Sequence, residues 1–334
     1  LFNDGDVPRV QWVDDERLVF SVTDLQAGLG EAYRYAPGLY AVRYDGKELR
    51  YLVEIRGRPF VIGPDRVKSL PWNHVLLHVP TPSEDRAGAR ADEVIVGEMS
   101  FDREELRHIA PMWLNTRTGR TRTLDHERAP CGVQRWWFSA QGEPRAAYCQ
   151  DKGRESLHWL LAPRAGQPGR WQQLGEGPLY RMGLQPRWVG QGDTLYVEHP
   201  GGKAGESVLA PFDFAKSAPG DALVSVPGFD FEGSLLGDRA GGRLLGVRVV
   251  SDGEQTIWFD AALKAAQQRA DAALPGRINR IQCRRCGSVD EVMLVRSFSD
   301  RDPGRLFLWR QADNEGKGRW QAVGMVRADI QPEQ

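Results

Sequence analysis

One pattern constrains this chain more than any other. A bulky aromatic, a short Gly/Asp turn and an apolar strand recur in order along its length. The unit is clearest in Arg187-Trp-Val-Gly-Gln-Gly-Asp-Thr-Leu-Tyr-Val197, followed by the extended pieces Val208-Leu-Ala-Pro-Phe-Asp-Phe214 and Gly220-Asp-Ala-Leu-Val-Ser-Val226. A meander of four short strands cannot bury both of its faces alone, so it needs copies of itself as neighbours. Gln11-Trp-Val-Asp-Asp-Glu-Arg-Leu-Val-Phe20 is the first copy, with an Asp45-Gly46 hairpin turn further on. Other copies open at Leu70-Pro-Trp72 and Arg135-Trp-Trp137, and the last two run from Phe231 and Ile278.

The expected third strands fall near Tyr40, Trp113, His158, Leu209, Trp258 and Phe307. After the first gap they recur at about 50 residues, the spacing of four-stranded propeller blades. The expectation is an all-β fold: a single β-propeller of six or seven four-stranded blades. Six blades are visible at 10–56, 66–127, 132–177, 184–228, 231–275 and 278–326. A β-sandwich is the competing architecture, but it needs no period sustained through the whole chain. Two segments break the repeat. Residues 261–274 are Ala-rich and stop at Pro275-Gly276, which predicts an inserted helix. Residues 81–109 form a polar insertion with a strand at Glu93-Val-Ile-Val96 and a short helix over about 102–108.

Composition agrees. Gly 37, Pro 21 and Trp 11 make a turn-rich, aromatic-rich mixture. The 44 basic and 45 acidic side chains balance, so no basic surface points to nucleic acid. No run reaches the roughly 18 apolar residues of a membrane span. Leu1 is not Met, and both ends read as cuts in a longer protein, so the compartment stays open between periplasm and cytoplasm.

Motifs for chemistry are sparse. Gly205-Glu-Ser-Val-Leu209 lacks the second Gly of a nucleophile elbow. His74 and His78 share a strand-like run, which sets them about 13 Å apart, too far for one ion. Gly201-Gly-Lys-Ala-Gly205 lacks the end of a P-loop. Glu104 and Glu105 follow Asp102; the plain reading is carboxylates at a helix start, the functional one a pair that grips a substrate amine. Cys283-Arg-Arg-Cys286 is half of a four-Cys zinc site without its other half, so thiols or disulfides fit better. Cys131 and Cys149 flank a hairpin, which permits a disulfide between them. No metal or cofactor is implied.

The aromatic–turn–strand pieces resemble blades of the prolyl oligopeptidase and dipeptidyl peptidase propellers. Val292-Met-Leu-Val-Arg-Ser-Phe-Ser-Asp-Arg-Asp-Pro-Gly-Arg-Leu-Phe-Leu-Trp309 resembles the last blade of bacterial members, just before an α/β-hydrolase domain. The resemblance spans essentially the whole chain. It implies a non-catalytic propeller domain whose partner is a C-terminal α/β-hydrolase domain of the same parent chain. That domain carries the Ser, Asp and His of the family, so no catalytic residue is expected here. The propeller is expected to cover the active site and to restrict or help bind peptide substrates. The alternative is a self-sufficient propeller scaffold that binds a protein or glycan.

Overall fold

The computed structural model describes residues 6–23, 38–55, 69–81, 91–103, 105–124, 129–161, 169–238, 242–311 and 318–327. Its strands form six antiparallel sheets. The first is Asp6–Trp12 (β1), Arg17–Thr23 (β2), Leu39–Arg43 (β3) and Arg50–Val53 (β4). The second is His74–His78 (β5), Glu93–Asp102 (β6), Glu105–Asn115 (β7) and Thr121–Thr123 (β8). Val133–Phe138 (β9), Pro144–Asp151 (β10), Arg154–Leu161 (β11) and Arg170–Pro178 (β12) make the third. Gln185–Gly190 (β13), Thr194–Pro200 (β14), Ser207–Asp213 (β15) and Ala218–Pro219 (β16) make the fourth. The fifth shows three strands among the described residues: Gly233–Gly237 (β17), Leu244–Val250 (β18) and Glu254–Trp258 (β19). Ile278–Arg284 (β20), Val292–Phe298 (β21), Arg305–Gln311 (β22) and Gly318–Met325 (β23) make the sixth.

Every sheet keeps its strands in chain order, the meander of a propeller blade. The fold class is an all-β, six-bladed β-propeller with one helix. Tyr40, Trp113, His158, Leu209, Trp258 and Phe307 all lie on third strands. Trp12, Trp137 and Trp188 lie on first strands, whereas Trp72 precedes β5. No helix among the described residues is long and apolar enough to cross a membrane.

The chain divides into two compact units: Leu1–Pro200 with Ala210–Asp221 and Arg239–Gly242, and Gly201–Leu209 with Ala222–Asp238 and Arg243–Gln334. In the first unit the core lies between sheets. Val94 and Val96 of β6 pack with Val19, Leu39 and Leu52 of the first sheet. Ile95, one residue out of step, packs the other way with Trp136, Phe138 and Ala147 of the third. Adjacent strand residues point to opposite faces, so an unbroken apolar run buries both. β10 repeats this: Ala147 faces the second sheet, and Ala146 packs with Leu157, Leu195 and Val197. Trp136 also uses its polar edge, its indole N–H donating to the Ile109 carbonyl at 2.8 Å.

The turns are specified locally. Asp14 Oδ1 accepts from the backbone N–H groups of Glu16 and Arg17, both at 2.7 Å, which shapes the β1–β2 turn. Gly142 has φ 90°, and a Cβ there would sit 2.7 Å from Trp113 and 3.0 Å from Ile95. Only glycine suits both demands.

In the second unit, Ala261–Ala273 (α1) begins at Asp260, whose side chain accepts from Leu263 N at 3.1 Å. Leu263, Ala266 and Ala270 form its buried face, packed with Ile281, Met293, Val295 and Trp309 of the sixth sheet. Asn279 Nδ2 donates to the Leu274 carbonyl at 3.1 Å and covers the helix end.

Leu157 is fully buried. We predict that Leu157→Ala costs about 2–5 kcal/mol and that Asp260→Ala, which loses only a helix cap, costs about 1 kcal/mol. Equilibrium urea unfolding measures both, and the reverse ranking would contradict the assignment of the core.

Candidate functional site

Of the acidic pair, only Glu105 is described. Glu104 lies outside the described residues. Glu105 opens β7 and is 82% exposed, its carboxylate 3.9 Å from Arg107. The helix expected over about 102–108 is instead the end of a hairpin: Asp102 pairs with Glu105, Phe101 with Leu106 and Ser100 with His108. Arg103 takes φ 56° in the turn. Tertiary contacts override the helix-start carboxylates here. Phe101 stacks on Trp72 at 6.0 Å, while Met99 and Leu106 pack onto the core between the second and third sheets. Arg107 then holds Asp102 at 2.7 Å, so Asp102 serves the hairpin.

Both cysteine pairs are disulfides. Cys131 and Cys149 have Cα atoms 6.2 Å apart, within the usual bridge span. Cys149 lies on β10 opposite Val133 of β9, and a register shift beside it brings Cys131 within reach. Cys283, on β20, bridges Cys286 in the following turn with Cα atoms 5.7 Å apart. Each pair has a third donor nearby: His158 for the first and Glu291 for the second, with all donor atoms within 4.8 Å of one another. Metal ligation needs thiolates, which a closed disulfide does not offer.

Sequence reasoning missed the Ser156–His158 pair. Two residues apart on β11, these side chains share a face, and Ser156 pairs in register with Cys149. Ser156 Oγ lies 2.9 Å from His158 Nε2. Burial pushes the His158 pKa down, against the opposing pull of the Glu176 carboxylate. A neutral imidazole can accept the serine proton, the first requirement of a nucleophilic dyad. The second requirement is an acceptor on the other ring nitrogen, and none is present among the described residues. Glu176 is instead held by Arg154 at 2.7 Å and Gln173 at 2.9 Å. The pair is thus a polar contact in a strand face, without the oriented base of a triad. Strand alternation in Glu155-Ser-Leu-His-Trp159 could have signalled it.

The second unit carries an arginine-rich cluster. Arg280 Nε donates to Glu254 Oε1 at 2.6 Å, and Arg248 lies 3.3 Å from the same oxygen. Arg280 stands opposite Arg296 in the β20–β21 ladder, and both lie over the Phe298 ring. The hydrogen bond from Arg280 is the main cause that holds the Glu254 pKa below the usual range. This carboxylate locks the fifth sheet to the sixth.

No protein-family model matches the chain, and no curated protein does. Solved structures do match. One is a candidate 6-phosphogluconolactonase from Bacteroides fragilis, 11% identical, with 93% of this chain aligned to 83% of that one at a TM-score of 0.31. A likeness that distant carries no argument about this chain's activity.

The depressed His158 pKa has a signed consequence. Below the ordinary value of 6.5 the unfolded chain binds a proton first. The contribution to stability is therefore full above 6.5 and is lost as the pH falls toward the folded value. His158→Gln keeps a hydrogen-bonding side chain but cannot titrate. Between about pH 7.5 and about pH 5, its urea midpoint should fall less steeply than that of the wild type. Parallel slopes would show that His158 is not held neutral by burial.

Proposed function

We propose that this chain is the non-catalytic propeller domain of a serine peptidase of the prolyl oligopeptidase family. One observation carries the reading. The stretch Val292–Trp309, which resembles the last family blade, forms most of β21 and β22 at the centre of the sixth and last sheet. The partner is a C-terminal α/β-hydrolase domain of the parent chain, which supplies the nucleophile. The propeller stands over that active site and admits slim peptides. Packed four-stranded sheets suit this role, because a gate that excludes wide substrates must resist deformation. Glu104 and Glu105 remain the candidate contacts for a substrate amine.

The chemistry within the chain is consistent with this division of labour. Gly-x-Ser-x-Gly is absent from the sequence. Ser156 has a histidine neighbour, and no third group orients it among the described residues. We predict that a fluorophosphonate probe leaves this chain unlabelled, and stoichiometric labelling of Ser156 would refute the non-catalytic reading. In the parent enzyme, removal of the propeller should raise cleavage of long peptides relative to short ones. An unchanged size preference in a folded hydrolase domain would contradict the gating role.

A further inference from the structure

The geometry points to a redox-active site in the last sheet, independent of the peptidase reading: Cys283 and Cys286 exchange their disulfide with a protein dithiol. The bridge closes across two intervening arginines, where β20 ends at Arg284 and the turn passes through Arg285 at φ 53° and Gly287 at φ 81°. Thiol–disulfide exchange needs a sulfur that an incoming thiolate can reach. Cys283 and Cys286 are both partly exposed, whereas the other bridge joins a partly exposed Cys131 to Cys149, which is 3% exposed.

The surroundings supply the rest of the chemistry. Glu291 is 3% exposed, and its carboxylate oxygen and the two sulfurs lie within 4.8 Å of one another. It is fixed by an ion pair with Arg269 and by the backbone N–H of Gly287 at 2.8 Å. A carboxylate so placed can take a proton from an attacking thiol and return it to a departing one. Val289, 68% exposed in the same turn, offers a partner an apolar contact.

The step balances. One thiolate of the dithiol attacks a sulfur of the bridge, the Cys283–Cys286 bond breaks, and its electron pair leaves on the other sulfur, which takes a proton. The second thiolate of the partner then attacks the mixed disulfide and releases the remaining cysteine. Two electrons and two protons pass to the cysteine pair, and the partner departs as a disulfide. The reduced pair with Glu291 could instead ligate a thiophilic cation. Zinc uptake by the reduced chain distinguishes the two.

The test uses the folded chain with Cys131–Cys149 as an internal control. After equilibration in graded dithiothreitol redox buffers, free thiols are trapped with a maleimide and mapped by mass spectrometry. The expected result is that Cys283–Cys286 opens at about tenfold less reductant than Cys131–Cys149, in protein that stays folded. Oxidation of reduced thioredoxin by the chain should slow about tenfold in Glu291→Gln, compared in protein whose urea midpoint shows that it is folded. The proposal is overturned if the two bridges open together, if Cys283–Cys286 opens only on unfolding, or if folded Glu291→Gln exchanges at the wild-type rate. It is also overturned if the reduced chain takes up one zinc ion and then no longer exchanges.

Discussion

The fold depends on sheets that are apolar on both faces. β6 shows the constraint most simply: Val94 and Val96 require a neighbour on one side, and Ile95 requires one on the other. Leaving either face in water would expose several large side chains at about 25 cal/mol per Å² of apolar surface. A single meander with this pattern cannot be a stable domain. Repetition is the solution, and its regularity follows from the need for each sheet to present the same thickness to the next. Turn residues then serve the packing. Gly142 is accommodated only because it has no Cβ to meet Trp113 and Ile95.

The same demand explains how the charged groups are used. Glu93, buried at a strand start, accepts both an Nε and an Nη2 hydrogen bond from Arg122, whose guanidinium lies 4.6 Å from the Trp113 ring centre. Glu155 accepts from the Tyr148 hydroxyl at 2.5 Å and from Met182 N at 2.7 Å. Arg277 spans Ser297 and Asp302. Such groups are committed to partners and cannot easily serve a reaction, since removing one partner leaves the other buried and unsatisfied.

Much of the architecture was legible because it is written in local pattern. Third strands, the Asp14 turn and α1 follow from residues close in sequence, and Asp260 with Pro275-Gly276 marks the helix ends. What was not legible depends on pairing across distance. Asp102 and its neighbours have helix-start chemistry, yet Phe101 and Met99 find better partners in Trp72 and the core, so a hairpin forms. Ser156 and His158 become neighbours only once residues 154–161 are known to be a strand. The Cys283–Cys286 spacing is compatible with thiols, zinc or a disulfide, and spacing alone does not choose among them. Charge alone does not place Glu104 and Glu105, because loops take their shape from what they pack against.

As proposed, this propeller works as one part of a serine peptidase, and sequencing the parent gene beyond the codon for Gln334 tests that. The expected result is an alternating strand and helix pattern that contains Gly-x-Ser-x-Gly, followed in order by an Asp and a His of a triad. A stop codon at that point, or a domain without the nucleophile elbow, would contradict it.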